Sequence, residues 1–472
     1  MNVRLILAVI VARLAMLASR LTGRGRGSSL PGKLALRIYP DILKHYRGQP
    51  RKGVIMVTGT NGKTTTNNML MGILEQAGHK VVANLEGANL MTGVVTAFIR
   101  SGSITGRISR DYAALEVDEA VFPLVTSWIK PDMVVVTNFF RDQLDRYGEL
   151  DTTVKKVLEA LKKLSGNVKL ILNSDDPLVA RLAADSGLPA LYYGVLPVQG
   201  LSTGASYSRE AKFCPLCGAV LHYGIYIYSQ LGNYSCPGCG FARPNPDLEA
   251  SAVLEEGTGG IKAMVRGTED HWEIRLPVRG IHNLYNALAA FSASLSLGVN
   301  PQTALASLGN YLPATGRMES FRYHNRRVLL NLVKNPTGFN RALCALLGDH
   351  GAPKQEILIA INDNDADGRD ISWLWDVDFE MLALHPEKFS RFVCSGQRAE
   401  DMALRLKYAG VPVWMVEIER EYRQAVDQVL NGKGESVGIL ATYTALWPVE
   451  KILSRQAERV KEHDDYSLSS VS

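Results

Sequence analysis

Val54-Ile55-Met56-Val57-Thr58-Gly59-Thr60-Asn61-Gly62-Lys63-Thr64-Thr65-Thr66 is an apolar strand that runs into a glycine-bracketed loop, a lysine and a run of threonines. This order builds a phosphate cradle. Backbone N–H groups of Gly59, Thr60, Asn61 and Gly62 can wrap phosphate oxygens, and Lys63 can reach the terminal phosphates. The Thr64 hydroxyl can ligate Mg²⁺ with Thr65 beside it, and the helix starting there points its positive end at the anion. ATP with Mg²⁺ is therefore the expected ligand. The loop is tighter than the general G-x-x-x-x-G-K-[ST] pattern, because Val57 stands where that pattern has its first glycine. A turn before an ordinary helix does not account for strand, lysine, threonine and helix in this order.

With 472 residues the chain is long enough for two or three domains, each with its own core. An apolar fraction of 46% and a charged fraction of 21% describe an ordinary globular protein. A formal net charge of +5 is small for this length and argues against extended nucleic-acid binding. Near the N-terminus, Leu5 to Ala18 is strongly apolar, but Arg13 interrupts it and Arg20, Arg24 and Arg26 follow. That segment is too short and too broken to span a bilayer. A basic amphipathic helix, on a membrane or against the protein body, is expected, with Gly23 to Gly32 as a turn-rich connection.

Downstream of the loop, strand and helix patterns alternate. A helix pattern at Asn67 to Ala77 leads to strands at Val81 to Ala83, Ala113 to Val117, Met133 to Val136 and Lys169 to Leu172. Such alternation predicts a parallel sheet covered by helices, with ligands at the carboxyl ends of the strands. Polar residues gather at those ends: Glu116 with Asp118 and Glu119, then Thr137-Asn138, then Asn173-Ser174-Asp175-Asp176-Pro177.

The shortened loop GTNGKTT resembles the ATP loop of the Mur ligase superfamily, and several later segments extend the likeness in order. Glu116 in LEVDE stands where the family has a Mg²⁺-binding glutamate. Thr137-Asn138 and Asp142 to Gly148 resemble the TN…DHLDxHG segment, with Gln143 replacing a histidine that usually ligates metal. ILNSDDP at Ile171 to Pro177 is similar to a segment on the nucleotide side, and Gly280 to Ala287 to a helix start that brings Asn283 to the nucleotide. Gly316-Arg317-Met318-Glu319 resembles the turn that opens the C-terminal domain and would place Arg317 near ATP. No counterpart of the family's carbamoylated lysine stands out, although Lys155, Lys156, Lys162 and Lys163 lie nearby. Only 58 residues precede Gly59, too few for the UDP-binding domain of the enzymes that act on nucleotide-linked precursors, so a different handle on the substrate is expected.

Cys214-Pro215-Leu216-Cys217 and Cys236-Pro237-Gly238-Cys239 are two CxxC knuckles, each followed by a glycine. Two tight turns carrying four thiolates predict a structural Zn²⁺ at Cys214, Cys217, Cys236 and Cys239, with no open catalytic position. Tyrosines between the knuckles suit the strands of a small ribbon. Cys344 and Cys394 sit in apolar settings, and Cys394, at the end of a strand before a helix, is expected in the core. Thiols in a metal-site spacing, rather than a disulfide framework, suit a reducing cytoplasm.

A strand and helix pattern restarts at Val328 and carries the acidic loop Asn362 to Asp370, followed by Ser372-Trp373-Leu374-Trp375-Asp376. A missing glutamate at the twelfth position excludes a Ca²⁺ loop. Together with the ribbon and the unaccompanied ATP loop, this segment resembles the Mur-ligase-like (MurT) subunits of lipid II isoglutaminyl synthases. That likeness implies an ATP-dependent ligase that activates the D-glutamate α-carboxylate of lipid II as an acyl phosphate and receives ammonia from a GatD-like glutamine amidotransferase in a heterodimer. It further implies that Asp370 faces the amidotransferase and completes its Cys-His pair, with Asp367 and Asp363 as fallbacks. The competing readings are a folylpolyglutamate-synthase-like amino acid ligase and a nucleic-acid-dependent ATPase, since AALEVDEA resembles a Walker B strand.

The expected fold is α/β. It comprises an N-terminal helix and linker over 1–52, a Mur-ligase-like P-loop domain with a parallel-rich sheet over 53–312, and a Rossmann-like domain over 313–472. The zinc ribbon is inserted at about 205–245. The expected location is cytoplasmic, at or near the inner face of the membrane.

Overall fold

The run GVIMVT forms β1 (Gly53–Thr58), which is buried along all but its first residue. An almost unbroken apolar strand needs cover on both faces, and a parallel sheet sandwiched by helices supplies it. Met56 and Val54 enter one apolar cluster while Ile55 and Val57 enter the other, as the two-residue period of a strand requires. The computed structural model describes residues 2–22, 29–84, 87–141, 150–164, 167–196, 211–255, 260–312, 319–347 and 354–460. Arg317, Gln143 and the rest of the Asp142 to Gly148 segment lie outside these.

The described residues form two compact units, the first running to Tyr311 without Arg141 and the second comprising Arg141 and the residues from Leu312 on. In the first, helices α1 (Val3–Thr22), α2 (Leu30–Ile38) and α3 (Ile42–Tyr46) precede β1, and α4 (Lys63–Gln76) follows the ATP loop. Next come β2 (Val81–Ala83), α5 (Met91–Ser101), β3 (Tyr112–Glu116), α6 (Phe122–Trp128) and β4 (Met133–Val136). Strands β5 (Lys169–Asn173), β6 (Ala190–Val195), β9 (Leu248–Glu255), β10 (Ile261–Arg266) and β11 (His271–Leu276) complete a sheet whose order is β11-β10-β9-β6-β5-β4-β1-β3-β2. From β2 to β9 neighbouring strands are parallel, and the last two pairings are antiparallel. Because β1 lies between β3 and β4, the crossovers diverge there and open a crevice at the carboxyl ends of these three strands.

Helices α1 and α2 share the core beneath this sheet: Leu5, Ala8, Val9, Ala12 and Ala35 pack with Val94, Val95 and Phe98 of α5. The hairpin β7 (His222–Tyr228) and β8 (Leu231–Ser235) stands apart from the large sheet as a two-stranded ribbon. Helix α4 begins at Lys63 rather than at Asn67, because Gly62 takes φ 85° and turns the chain directly into the helix.

The second unit is a seven-stranded sheet built from β12 (Glu319–Tyr323), β13 (Arg326–Leu332), β14 (Gln355–Ala360), β15 (Phe389–Ser395), β16 (Val416–Ile418), β17 (Ser436–Ala441) and β18 (Glu458–Arg459). Its order is β16-β15-β14-β17-β13-β12-β18, parallel from β16 to β13. Strand β16 is short and starts only at Val416, because Val413–Met415 is a 3₁₀ turn. Pro412 has no N–H to give to a ladder, so pairing starts only beyond the turn. Cys394 ends up inside β15, where burial pushes its thiol up to about 12, which fits a core residue and not a nucleophile.

Candidate functional site

The loop between β1 and α4 is held by the strand end beside it. The Asn61 N–H donates to Asn138 Oδ1 at 2.9 Å, and Asn138 Nδ2 returns a bond to the Asn61 carbonyl at 3.1 Å. The Thr137 hydroxyl donates to the same carbonyl at 2.8 Å, and the Thr60 N–H to the Asn138 carbonyl at 2.8 Å. Two glycines make this closeness possible. Gly59 has φ 117°, and a Cβ there would lie 2.4 Å from Thr137 Oγ1; Gly62 has φ 85°, and a Cβ would lie 2.1 Å from Asn286 Oδ1. Any side chain at either position would be strained in its backbone and driven into its neighbour.

Lys63 is 4% exposed, and its ammonium donates to the carbonyls of Gly59 and Thr60 and to Glu119 Oε2 at 2.8 Å. Burial works against its charge, but Glu119 above all, with Asp118 and Glu116, outweighs burial and raises its pKa. The lysine is therefore a fixed cation at the mouth of the loop. Thr64 Oγ1 donates to Glu116 Oε2 at 2.8 Å, and Asn89 Nδ2 to Glu116 Oε1 at 3.1 Å. Asn84 clamps the backbone of Glu116 from both sides, accepting its N–H at 2.9 Å and donating to its carbonyl at 2.8 Å. A hydroxyl and a carboxylate oxygen set together at the N-terminus of α4 are a hard-oxygen donor set of the kind Mg²⁺ takes. The structure thus brings the loop and Glu116 together through Thr64, and the residues present fit MgATP.

Asn283 stands at the start of the Ile281–Ser296 helix, where its amide donates to the Arg279 carbonyl at 2.6 Å. Within that helix it is Asn286 that reaches the loop, accepting from Thr66 Oγ1 at 3.4 Å beside Gly62. Lys155, Lys156, Lys162 and Lys163 are exposed along one side of the Leu150–Lys162 helix and the turn after it, while Val154, Val157 and Leu161 face the core.

The Asn173 to Pro177 turn acts on the loop at one remove. Asn173 Nδ2 donates to the Thr137 carbonyl at 3.1 Å, and Asp176 accepts the Phe139 N–H at 2.9 Å and caps the next helix through Leu178 N at 2.9 Å. Asp176 is fully buried, and desolvation raises its pKa to about 6 against these bonds. Asp175 is taken by Arg243 Nε at 2.6 Å, the Tyr285 hydroxyl at 2.6 Å and Val195 N at 2.8 Å. Both carboxylates are thereby spent within the protein, bracing the segment that grips the ATP loop.

The same turn carries the ribbon. Gln230 Nε2 donates to the Phe139 carbonyl, the Tyr234 hydroxyl to the Ser174 carbonyl at 3.1 Å, and Gly232 N to the Asp175 carbonyl at 3.0 Å. At the far end of the ribbon the four cysteine sulfurs lie within 4.8 Å of one another, with Cys214 to Cys239 at 3.6 Å and Cys217 to Cys236 at 3.4 Å. Four sulfurs about 2.3 Å from one tetrahedral ion would stand about 3.8 Å apart, so the cluster is shaped for Zn²⁺. The two knuckles repeat each other: Gly218 N bonds to Cys214 O at 2.9 Å and Gly240 N to Cys236 O at 3.1 Å.

In the second unit, Asp370 is partly exposed and accepts from Ser372 N at 2.8 Å and Ser372 Oγ at 2.9 Å, at the head of the Ser372–Asp376 3₁₀ turn. Asp367 is buried and accepts from Thr444 N at 2.7 Å, and Asp363 pairs with Arg398 at 2.6 Å.

Comparison with known proteins agrees with this arrangement. Residues 57–205 match the Mur ligase middle domain and residues 332–446 match the MurT ligase C-terminal domain. The chain is 36% identical to the MurT subunit of lipid II isoglutaminyl synthase (glutamine-hydrolyzing) of Staphylococcus aureus strain COL, over 96% of this chain and 98% of that one. The chain belongs to the MurT family. The MurT subunit of Streptococcus pneumoniae strain R6 is 34% identical over 97% of this chain and 99% of its own. Among solved structures, the pseudomurein peptide ligase type C of Methanothermus fervidus superposes with a TM-score of 0.63 at 22% identity, covering 88% of this chain and 80% of that one. Folylpolyglutamate synthase of Mycobacterium tuberculosis does so with a TM-score of 0.60 at 13% identity, covering 94% and 98%. These superpositions establish the Mur ligase fold, and the MurT relatives place the chain within it.

Glu119, Asn138 and Asn286 are the site residues that sequence reasoning left unassigned. Glu119 and Asn138 carried a signal, since both stand at strand ends beside residues already singled out. Asn286 carried one as well, as the last asparagine of the Gly280 to Ala287 segment, but its approach to Gly62 depends on how a helix more than two hundred residues away packs.

Proposed function

We propose that this chain is the synthetase subunit of a lipid II isoglutaminyl synthase, which amidates the D-glutamate α-carboxylate of the lipid II stem peptide to D-isoglutamine. The observation that carries the reading is the near end-to-end correspondence with MurT subunits. In this reading residues 1–52 are an N-terminal appendage, 53–312 the ATP-binding domain and 313–472 the C-terminal domain.

A carboxylate is a poor electrophile until its oxygen is phosphorylated. Bound MgATP would supply the phosphoryl group and neutralise charge as it transfers. Gly59 and Gly62 would turn backbone N–H groups to the phosphates, while Thr60 and Asn61, whose N–H groups are held by Asn138, would shape the loop around them. Lys63 would meet the terminal oxygens with its positive charge, and Thr64 and Glu116 would hold Mg²⁺. Thr65 follows them in the first turn of α4, and Asn283 and Arg317 would lie on the nucleotide. The substrate carboxylate oxygen attacks the terminal phosphorus and ADP leaves. Ammonia then attacks the acyl carbon and phosphate leaves. Cys214, Cys217, Cys236 and Cys239 would bind a structural Zn²⁺. The ammonia would come from a GatD-like glutamine amidotransferase paired with this chain, and Asp370 would orient that partner's imidazole.

The test is reconstitution with a GatD-like subunit, ATP, Mg²⁺, glutamine and lipid II, followed by mass spectrometry of the stem peptide. Amide formation with glutamine, and with free ammonia in the absence of the partner, is expected. Product that instead requires a free amino acid would replace this reading with a folylpolyglutamate-synthase-like ligation. ATP turnover stimulated by DNA or RNA would replace it with a nucleic-acid-dependent ATPase.

A further inference from the structure

Helix α1 is apolar on both sides, and the described residues cover only one of them. Leu5, Ala8, Val9 and Ala12 are buried against α2 and α5. On the opposite side Val3, Leu7, Ile10, Leu14 and Leu17 are 75%, 51%, 40%, 61% and 54% exposed. Their spacing follows the helical repeat, so they fall within an arc of about 80° and form one continuous stripe. An isolated exposed leucine means nothing, but five large aliphatics in a row on one helix face call for a cover.

Arg13, which breaks the apolar run in sequence, is turned toward the body, where its guanidinium donates to the carbonyls of Ile99 and Gly102. Its charge is therefore no obstacle on the outer face. Among the described residues no helix is long and apolar enough to cross a membrane. A stripe of this kind suits a helix lying in the plane of a surface.

Charge decides which surface. Arg4, Arg13, Arg20, Arg24, Arg26, Lys33 and Arg37 all precede the first acidic residue, Asp41. The remainder of the chain holds 45 of the 52 basic residues against all 47 acidic ones, so the net positive charge resides in this N-terminal stretch. Arg4 on α1, and Lys33 and Arg37 on the neighbouring α2, are exposed. Such a segment is attracted to an anionic lipid headgroup layer, whereas a second copy of the same stretch would meet it with like charge.

We infer that α1 docks in plane on an anionic bilayer, with Val3, Leu7, Ile10, Leu14 and Leu17 entering the boundary between headgroups and acyl chains. This attachment is a property of the helix and is independent of which carboxylate the enzyme activates.

Vesicle sedimentation with the full chain tests it, comparing phosphatidylglycerol-containing vesicles with pure phosphatidylcholine. The chain should bind the anionic vesicles, lose that binding as salt rises, and bind them about tenfold more weakly or less when Leu7→Gln, Ile10→Gln and Leu14→Gln are combined. The triple variant should melt as the parent does, because all three side chains are exposed. Should it fail to fold, Leu7→Trp serves: its emission should shift to the blue on adding anionic vesicles. Undiminished binding by a folded triple variant, no binding by the parent, or an unmoved emission of Leu7→Trp would overturn the inference. So would a loss of self-association or of partner retention in the triple variant without loss of lipid binding, since the stripe would then be covered by protein.

Discussion

Lys63 and Glu119 hold each other in place as a buried pair at 2.8 Å. In the structure the ammonium rests on Glu119 and two loop carbonyls. Lys63→Ala should therefore lower turnover of ATP by at least ~10², the cost of removing a charge aimed at the transition state. It should also destabilise the fold by about 3 kcal/mol, because Glu119, 3% exposed, is left as an uncompensated buried carboxylate. Pairing Lys63→Ala with Glu119→Gln separates the two effects: melting should recover while turnover stays lost. Full turnover in either variant would remove the loop from the mechanism. Glu116 differs in that its bonds come from Thr64 and Asn89, both neutral donors. Glu116→Ala should keep the fold and raise the Mg²⁺ concentration needed for half-maximal activity, as a magnesium titration would show.

The ribbon is more than an ornament on the sheet, because the residues at its hairpin end reach the turn that braces the ATP loop. From Gln230 the path runs to the Phe139 carbonyl and Asp176, and from the adjoining Asn138 to Asn61. Metal analysis should find one Zn²⁺ per chain, and stripping it should lower melting of the first unit before it touches chemistry. Gln230→Ala should raise KM for ATP several-fold with a smaller change in kcat. Gln230→Glu should be worse, since it sets a carboxylate against Asp176 and a lone pair against the Phe139 carbonyl. Equal KM values in the parent and both variants would cut the link between ribbon and loop. Asp176 adds a pH dependence with a definite sign. Its pKa is raised by burial from 3.8 to about 6, so the folded state holds its proton more tightly than the unfolded one. This contribution is full below the unfolded pKa and is lost as pH rises through the folded one. Relative to Asp176→Asn, the parent should lose on the order of 2–3 kcal/mol of stability between about pH 4 and 6, read from denaturant melts at each pH. None of this coupling was legible in the sequence. The cysteines and the loop are contiguous motifs whose chemistry is written in their spacing, whereas Gln230 is a lone amide at a hairpin end that only packing brings to Phe139.

The whole chain joins two α/β units, and the parallel core of each was readable because buried parallel strands are unbroken aliphatic runs. What the runs did not disclose was where the antiparallel edges fall: β10 alternates buried and partly exposed residues, and β12 and β18 are too short or too polar to announce themselves. The acidic loop of the second unit shows a similar division between motif and role. Asp363, Asp367 and Asp370 look alike in sequence, and burial together with their partners separates them. Asp367 is enclosed and held by Thr444, and its pKa is raised by desolvation despite those bonds; Asp363 is engaged by Arg398. Asp370 is partly exposed and sits at a turn fixed by Ser372 and by Trp373 and Leu374, which are buried behind it. A carboxylate that is oriented by a rigid turn yet reaches solvent can serve an imidazole on another polypeptide, and the proposed glutaminase partner needs such a third group. Asp370→Asn should accordingly suppress amidation driven by glutamine while leaving association with the partner and amidation driven by free ammonia near parental rates. Asp367→Asn should instead lower stability in both assays through Thr444. Equal loss of the glutamine and ammonia reactions in Asp370→Asn would move that residue into the synthetase chemistry, and no loss in either would leave it as the cap of its 3₁₀ turn.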